Sequence, residues 1–86
     1  MKLKSGLILR QVADENIVLP VGSDVQINGM ITLNDTGVTL WKCLEKGAEE
    51  SDLTAALLAE YDVDEQTAAA HVRVYVAKLK ELGLID

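Results

Sequence analysis

The 86-residue sequence contains no phenylalanine, one tryptophan and two tyrosines, so aromatics make up only 3% of it. A hydrophobic fraction of 49% still supports a packed core, and that core must be built from Ile, Leu, Val and Ala. Basic residues are scarce: eight Lys and Arg against fourteen Asp and Glu give a formal charge of −6. Nucleic-acid binders draw most of their affinity from clustered cations on phosphates, so this balance argues against that class. The single cysteine, Cys43, excludes an internal disulfide, a lone iron–sulfur ligand set and a zinc site. It fits a reducing compartment, and the cytoplasm is the expected location. No apolar run approaches the roughly 18 residues of a membrane span. The run Leu7-Ile8-Leu9 ends at Arg10, too early for a signal peptide. Paired acid and base groups, a phosphate loop and a metal set are all missing, so no enzymatic activity and no cofactor are expected.

What is present divides near Asn34. Before it the sequence predicts strands, after it helices, with no linker or repeat. Leu7 to Val12 predicts a first strand, and Asp14-Glu15-Asn16 a turn. The β-branched run Ile17-Val18-Leu19 predicts an antiparallel return ending near Pro20. Val25 and Ile27 alternate with Gln26, Asn28-Gly29 is a favoured tight-turn pair, and Met30 to Leu33 predicts the third strand.

Asn34 is a good N-cap for a first helix carrying Gly37, Leu40, Trp41 and Leu44 on one face and ending at Gly47. Ser51 is the expected cap of a second helix with Leu53, Ala56, Leu57 and Tyr61 inward. Asp64 caps the third and longest helix, whose buried stripe is Ala68, Val72, Tyr75, Val76, Leu79 and Leu82, with Gly83 as the stop. Leu84-Ile85 can pack back on the domain. Residues 1–86 therefore read as a single α+β domain: a small three-stranded antiparallel sheet followed by three helices, winged helix-turn-helix-like.

The order of motifs resembles the PqqD-like family, named for the D protein of pyrroloquinoline quinone biosynthesis. The sharpest part is Leu33-Asn34-Asp35-Thr36-Gly37 followed by Leu40-Trp41, with Asn28-Gly29-Met30-Ile31-Thr32 before it and Gly47, Tyr61, Val72, Leu79 and Gly83-Leu84 after it. The resemblance implies a peptide chaperone, a recognition element for ribosomally made precursor peptides. It binds the precursor's leader as an added strand on the third strand, beside the third helix, and presents it to a modifying enzyme, often a radical S-adenosylmethionine enzyme. Such domains occur free-standing or fused to the enzyme; with 86 residues leaving no room for a fused partner, a free-standing protein is expected here, serving a peptide other than the quinone precursor. On the family's groove and helical geometry, the peptide-binding residues are Met30, Ile31 and Thr32 on the strand, and Thr67, Ala70, His71, Val74 and Lys78 on the third helix. Ala70 leaves room for a ligand side chain, Val74 offers an apolar floor, and Lys78 and Arg73 can pair with acidic leader residues.

Blander readings stand beside these. Asn34 to Gly37 caps a helix. Met30 is open between an adaptable contact and core filling. His71 without a second ligand is a solvent-facing helix residue. Cys43 has no base beside it and reads as a reduced helix residue. Trp41 reads as core, and Asp62-x-Asp64-Glu65 as a turn and cap that lacks the glycine of a calcium loop. Two other functions fit the same fold class. One is a DNA-binding winged helix, opposed by Asp64 and Glu65 at the start of the third helix. The other is an adaptor whose open strand edge could pair two copies as a homodimer.

Overall fold

The computed structural model describes residues 1–4, 6–21 and 31–85. Three strands precede three helices: β1 (Leu7–Val12), β2 (Glu15–Pro20), β3 (Ile31–Leu33), α1 (Asp35–Glu45), α2 (Glu50–Glu60) and α3 (Glu65–Glu81). The expected α+β architecture is what forms. The Val25–Ile27 alternation, the Asn28-Gly29 turn and Met30 lie outside the described residues.

β1 and β2 form a hairpin in register from Leu7 opposite Pro20 to Val12 opposite Glu15. Its turn is Ala13-Asp14, one residue earlier than the expected Asp14-Glu15-Asn16, because Glu15 and Asn16 already pair with Val12 and Gln11. Ala13 takes φ 56°, a left-handed position that normally favours glycine. β3 adds antiparallel to the other side of β2, with Ile17 opposite Thr32. Among the described residues, the sheet order β1-β2-β3 leaves β3 at an edge.

α1 starts where Asn34 accepts the Gly37 N–H at 2.8 Å, as its sequence suggested. All four residues expected on its inner face, Gly37, Leu40, Trp41 and Leu44, are buried. The cap of α2 differs from expectation. Ser51 is an exposed residue inside the first turn, and the Asp52 carboxylate reaches back to the Glu49 N–H at 2.9 Å. A carboxylate three residues past the cap satisfies an orphan donor better than a serine already within the helix. α3 begins at Asp64, which accepts the Thr67 N–H at 3.0 Å. It ends in a Schellman turn: Gly83 at φ 74° donates to the Lys80 carbonyl, and Leu84 donates to that of Leu79 at 2.9 Å. This turn sends Leu84 and Ile85 into the core, where Ile85 bridges to Leu3.

The core lies between the sheet's inner face and the three helices, with Val18, Leu33, Leu40, Trp41, Leu44, Leu53, Leu57, Val72 and Leu84 at its centre. Each such side chain contributes roughly 1.5–3 kcal/mol by leaving water. Of the stripe expected on α3, Ala68, Val72, Val76 and Leu79 are buried, but Tyr75 and Leu82 are half-buried at its margin. In α2, Ala56 and Tyr61 are likewise half-buried while Leu53 and Leu57 are fully enclosed. Among the described residues, no helix is long and apolar enough to cross a membrane.

Candidate functional site

β3 runs past α3 as an edge strand whose residues alternate. Ile31 and Leu33 turn toward the core, while Thr32 is exposed. An edge strand has one side committed to its neighbour, here β2, and another whose N–H and C=O groups are, among the described residues, open to a further strand.

The helix opposite supplies the second wall. Residues 68, 72, 76 and 79 face the core, so the positions beside that stripe form the adjoining flank of α3. A trough of about 760 Å³ follows this flank. Its lining includes all five helix residues expected from the sequence, Thr67, Ala70, His71, Val74 and Lys78, together with Gln66 and Tyr75. A second cavity of about 480 Å³ opens between β3, the start of α1 and the C-terminal half of α3. Ile31 and Thr32 line it from the strand, and Leu79 and Leu82 from the helix. His71, Tyr75 and Lys78 belong to both spaces and make them one continuous groove. Of the eight residues expected at the site, seven line this groove, and Met30 lies outside the described residues.

The trough is apolar at its centre. Val74 is 71% exposed, the most exposed large hydrophobic side chain among the described residues, and makes part of the floor. Ala70 adds no bulk beside it. Lys78 supplies positive charge, and the carboxylates of Asp64 and Glu65 lie at the opposite end of α3.

Tyr75, Leu79, Leu82 and Gly37 line the groove although the sequence reading placed them only in the core. Tyr75 sits three and four residues from Val72 and Leu79, which puts it in the apolar stripe by spacing alone. Its ring is half-buried, and its hydroxyl donates to the Gly37 carbonyl at 2.9 Å. Burial pushes the phenol above the ordinary tyrosine value, so it stays a neutral donor. A tyrosine within an apolar stripe needs a partner for its hydroxyl, and that requirement was the available signal. Gly37 is tightly enclosed: a Cβ there would lie 3.2 Å from Asn34 Oδ1 and 3.4 Å from Leu33 Cβ.

The groove can hold an extended chain by main-chain pairing on one side and side-chain contacts on the other. Among the described residues, no cluster of three or more His, Cys, Asp or Glu could hold a metal. Cys43 is half-buried beside Lys42 and Glu60 in a cleft between α1 and α2, away from the groove.

An open strand edge facing a helix-lined groove, on a three-strand, three-helix frame, defines a small α+β docking module. Within that class the chain belongs to the family described as coenzyme PQQ synthesis protein D (PqqD), whose model matches residues 15–85. Two solved structures are similar over nearly their whole length. One is TbiB1 in complex with the TbiA(beta) leader peptide, with 26% identity and a TM-score of 0.81, covering 100% of this chain and 95% of that one. The other is lasso peptide synthetase B1 complexed with the leader peptide, with 25% identity and a TM-score of 0.75, covering 96% of this chain and 93% of that one. No curated protein matches.

Proposed function

We propose that this protein is a peptide chaperone that binds the leader of a ribosomally synthesised precursor and presents it to a modifying enzyme. The observation that carries this reading is the open edge of β3 beside the groove along α3. The leader-bound state of both similar structures supports it. The leader adds as a strand on β3, with Ile31 and Thr32 at the edge. Thr67, Ala70, His71, Val74 and Lys78 contact its side chains from the helix. Main-chain bonds supply affinity, and the side-chain contacts supply selectivity. The chemistry belongs to the partner, for which the family favours a radical S-adenosylmethionine enzyme. A ribosomal precursor and a single unpaired cysteine suit action in the cytoplasm.

The test is fluorescence polarisation of the labelled leader of the short peptide encoded beside this gene, with a DNA duplex as control. Saturable binding that is lost when proline replaces residues within the leader supports strand addition, because proline removes a ladder donor. Salt-sensitive binding of the duplex with none of the leader would overturn the reading.

A further inference from the structure

The two walls of the groove are held by different neighbours: α3 lies against α2, whereas β3 lies against β2 and α1. Below the groove their apolar side chains join one core, Leu33 from β3 and Val72, Val76 and Leu79 from α3. Apolar contact is non-directional, so it holds the walls together without fixing their spacing. An added strand demands a fixed spacing. Paired on β3 it would lie about 4.8 Å from that strand, with alternate side chains turned toward α3.

One contact between the walls is directional. The Tyr75 hydroxyl donates to the Gly37 carbonyl at 2.9 Å, and among the described residues it is the only hydrogen bond from α3 to α1 or β3. Both of its ends lie in the groove. Tyr75 lines the trough and the cavity beside β3, and Gly37 lines that cavity with Asn34. From Gly37 the path to the strand is short. Its N–H is held by the Asn34 side chain at 2.8 Å, and Asn34 follows Leu33, the last residue of β3. The segment Leu33 to Gly37 thus does more than cap a helix: it presents one carbonyl at a set distance from the edge strand. A hydrogen bond loses strength steeply away from its preferred length and angle, so this one fixes where α3 stands.

We propose that Tyr75 is a positioning residue, which through the Gly37 carbonyl sets the separation of α3 from β3 and holds the empty groove at the width of one extended peptide. The proposal rests on the leader-binding reading and adds the device that prepares the site. A protein whose competent form is only partly populated binds with its affinity reduced by that fraction. With the tie in place, the walls stand ready before the leader arrives, and less ordering is left to the binding step.

The test is stopped-flow binding of the labelled leader, which reads association and dissociation separately. Tyr75→Phe keeps the ring and removes the donor, with Trp41 emission checking that the variant is folded. Association should slow by about threefold to tenfold, the fold-change to which one net hydrogen bond corresponds. Dissociation should stay within about twofold of the wild type, because the walls make the same contacts once the leader is bound. Replacing Tyr75 by 4-aminophenylalanine restores an N–H donor at the same ring position and should restore the association rate. Failure of that rescue would overturn the proposal. So would unchanged rates in folded Tyr75→Phe, which would leave the bond a purely structural one. Faster dissociation would assign the hydroxyl a direct contact with the leader and would also overturn it. In each of these cases leader binding itself stands. No leader binding by the wild type would overturn the leader-binding reading, and the positioning role with it.

Discussion

The Tyr75 hydroxyl donates to the Gly37 carbonyl at 2.9 Å, joining the middle of α3 to the first turn of α1. The N–H of the same glycine is held by Asn34 at 2.8 Å, directly after β3 ends at Leu33. One residue thus ties the edge strand to the helix across the groove, and the lack of a side chain at Gly37 leaves room for Asn34 and Leu33 beside it. Tyr75→Phe keeps the ring and removes this tie. A net hydrogen bond of this kind contributes about 0.5–1.5 kcal/mol, so the urea midpoint, followed by Trp41 emission, should fall accordingly. An unchanged midpoint would show that the bond adds nothing to stability.

Asp64 gives α3 an acid-sensitive start. Hydrogen bonds from the Thr67 side chain, and then from its backbone, hold the carboxyl below the ordinary aspartate value. A depressed folded-state value means that the contribution is complete above the unfolded value, near about pH 4, and is lost as pH falls through the folded one. Asp64→Asn keeps an acceptor for the cap but does not titrate. Wild type should therefore lose more thermal stability than the variant on acidification from about pH 6 to about pH 2, so that their melting curves converge. Parallel pH dependence would rule out this role.

Much of the frame was legible because local chemistry and tertiary demand agree. Asn34, Asp64, Gly47 and Gly83 punctuate the helices where their side chains, or the lack of one, require it. The apolar period of α1 is buried residue for residue. The helix side of the groove followed from helical geometry together with the groove that the family resemblance implies, since Thr67, Ala70, His71, Val74 and Lys78 flank a stripe that had to face inward. The failures are equally local. Ser51 was a better cap by composition, but a carboxylate at position 52 could reach the Glu49 amide. Tyr75 passed for core because periodicity records direction and not depth.

The β1–β2 turn places Ala13 at φ 56°, where a Cβ is strained against the backbone. Glycine adopts this angle freely, though it is the more flexible residue in the unfolded chain. The released strain is of order 1–2 kcal/mol and the entropic loss about 0.4–1 kcal/mol, so Ala13→Gly should stabilise by up to about 1.6 kcal/mol. Differential scanning calorimetry should record a higher melting temperature. A lower one would mean that the entropic term dominates at this turn.

Val74 offers the sharpest separation of binding from folding. Its side chain is 71% exposed and takes no part in the core cluster, yet it lies in the floor of the trough between Ala70 and Lys78. A surface substitution away from caps and core usually changes stability by no more than about 0.5 kcal/mol, so Val74→Asp should melt close to the wild type. For a leader lying on that floor, a new carboxylate must be desolvated or must hold the chain away. Binding should weaken by about tenfold or more, which corresponds to about 1.4 kcal/mol. Val74→Leu keeps the surface apolar and should retain affinity, which distinguishes lost apolar contact from a general effect of substitution. Equal leader affinity in Val74→Asp and wild type would show that the bound peptide does not lie along this flank of α3.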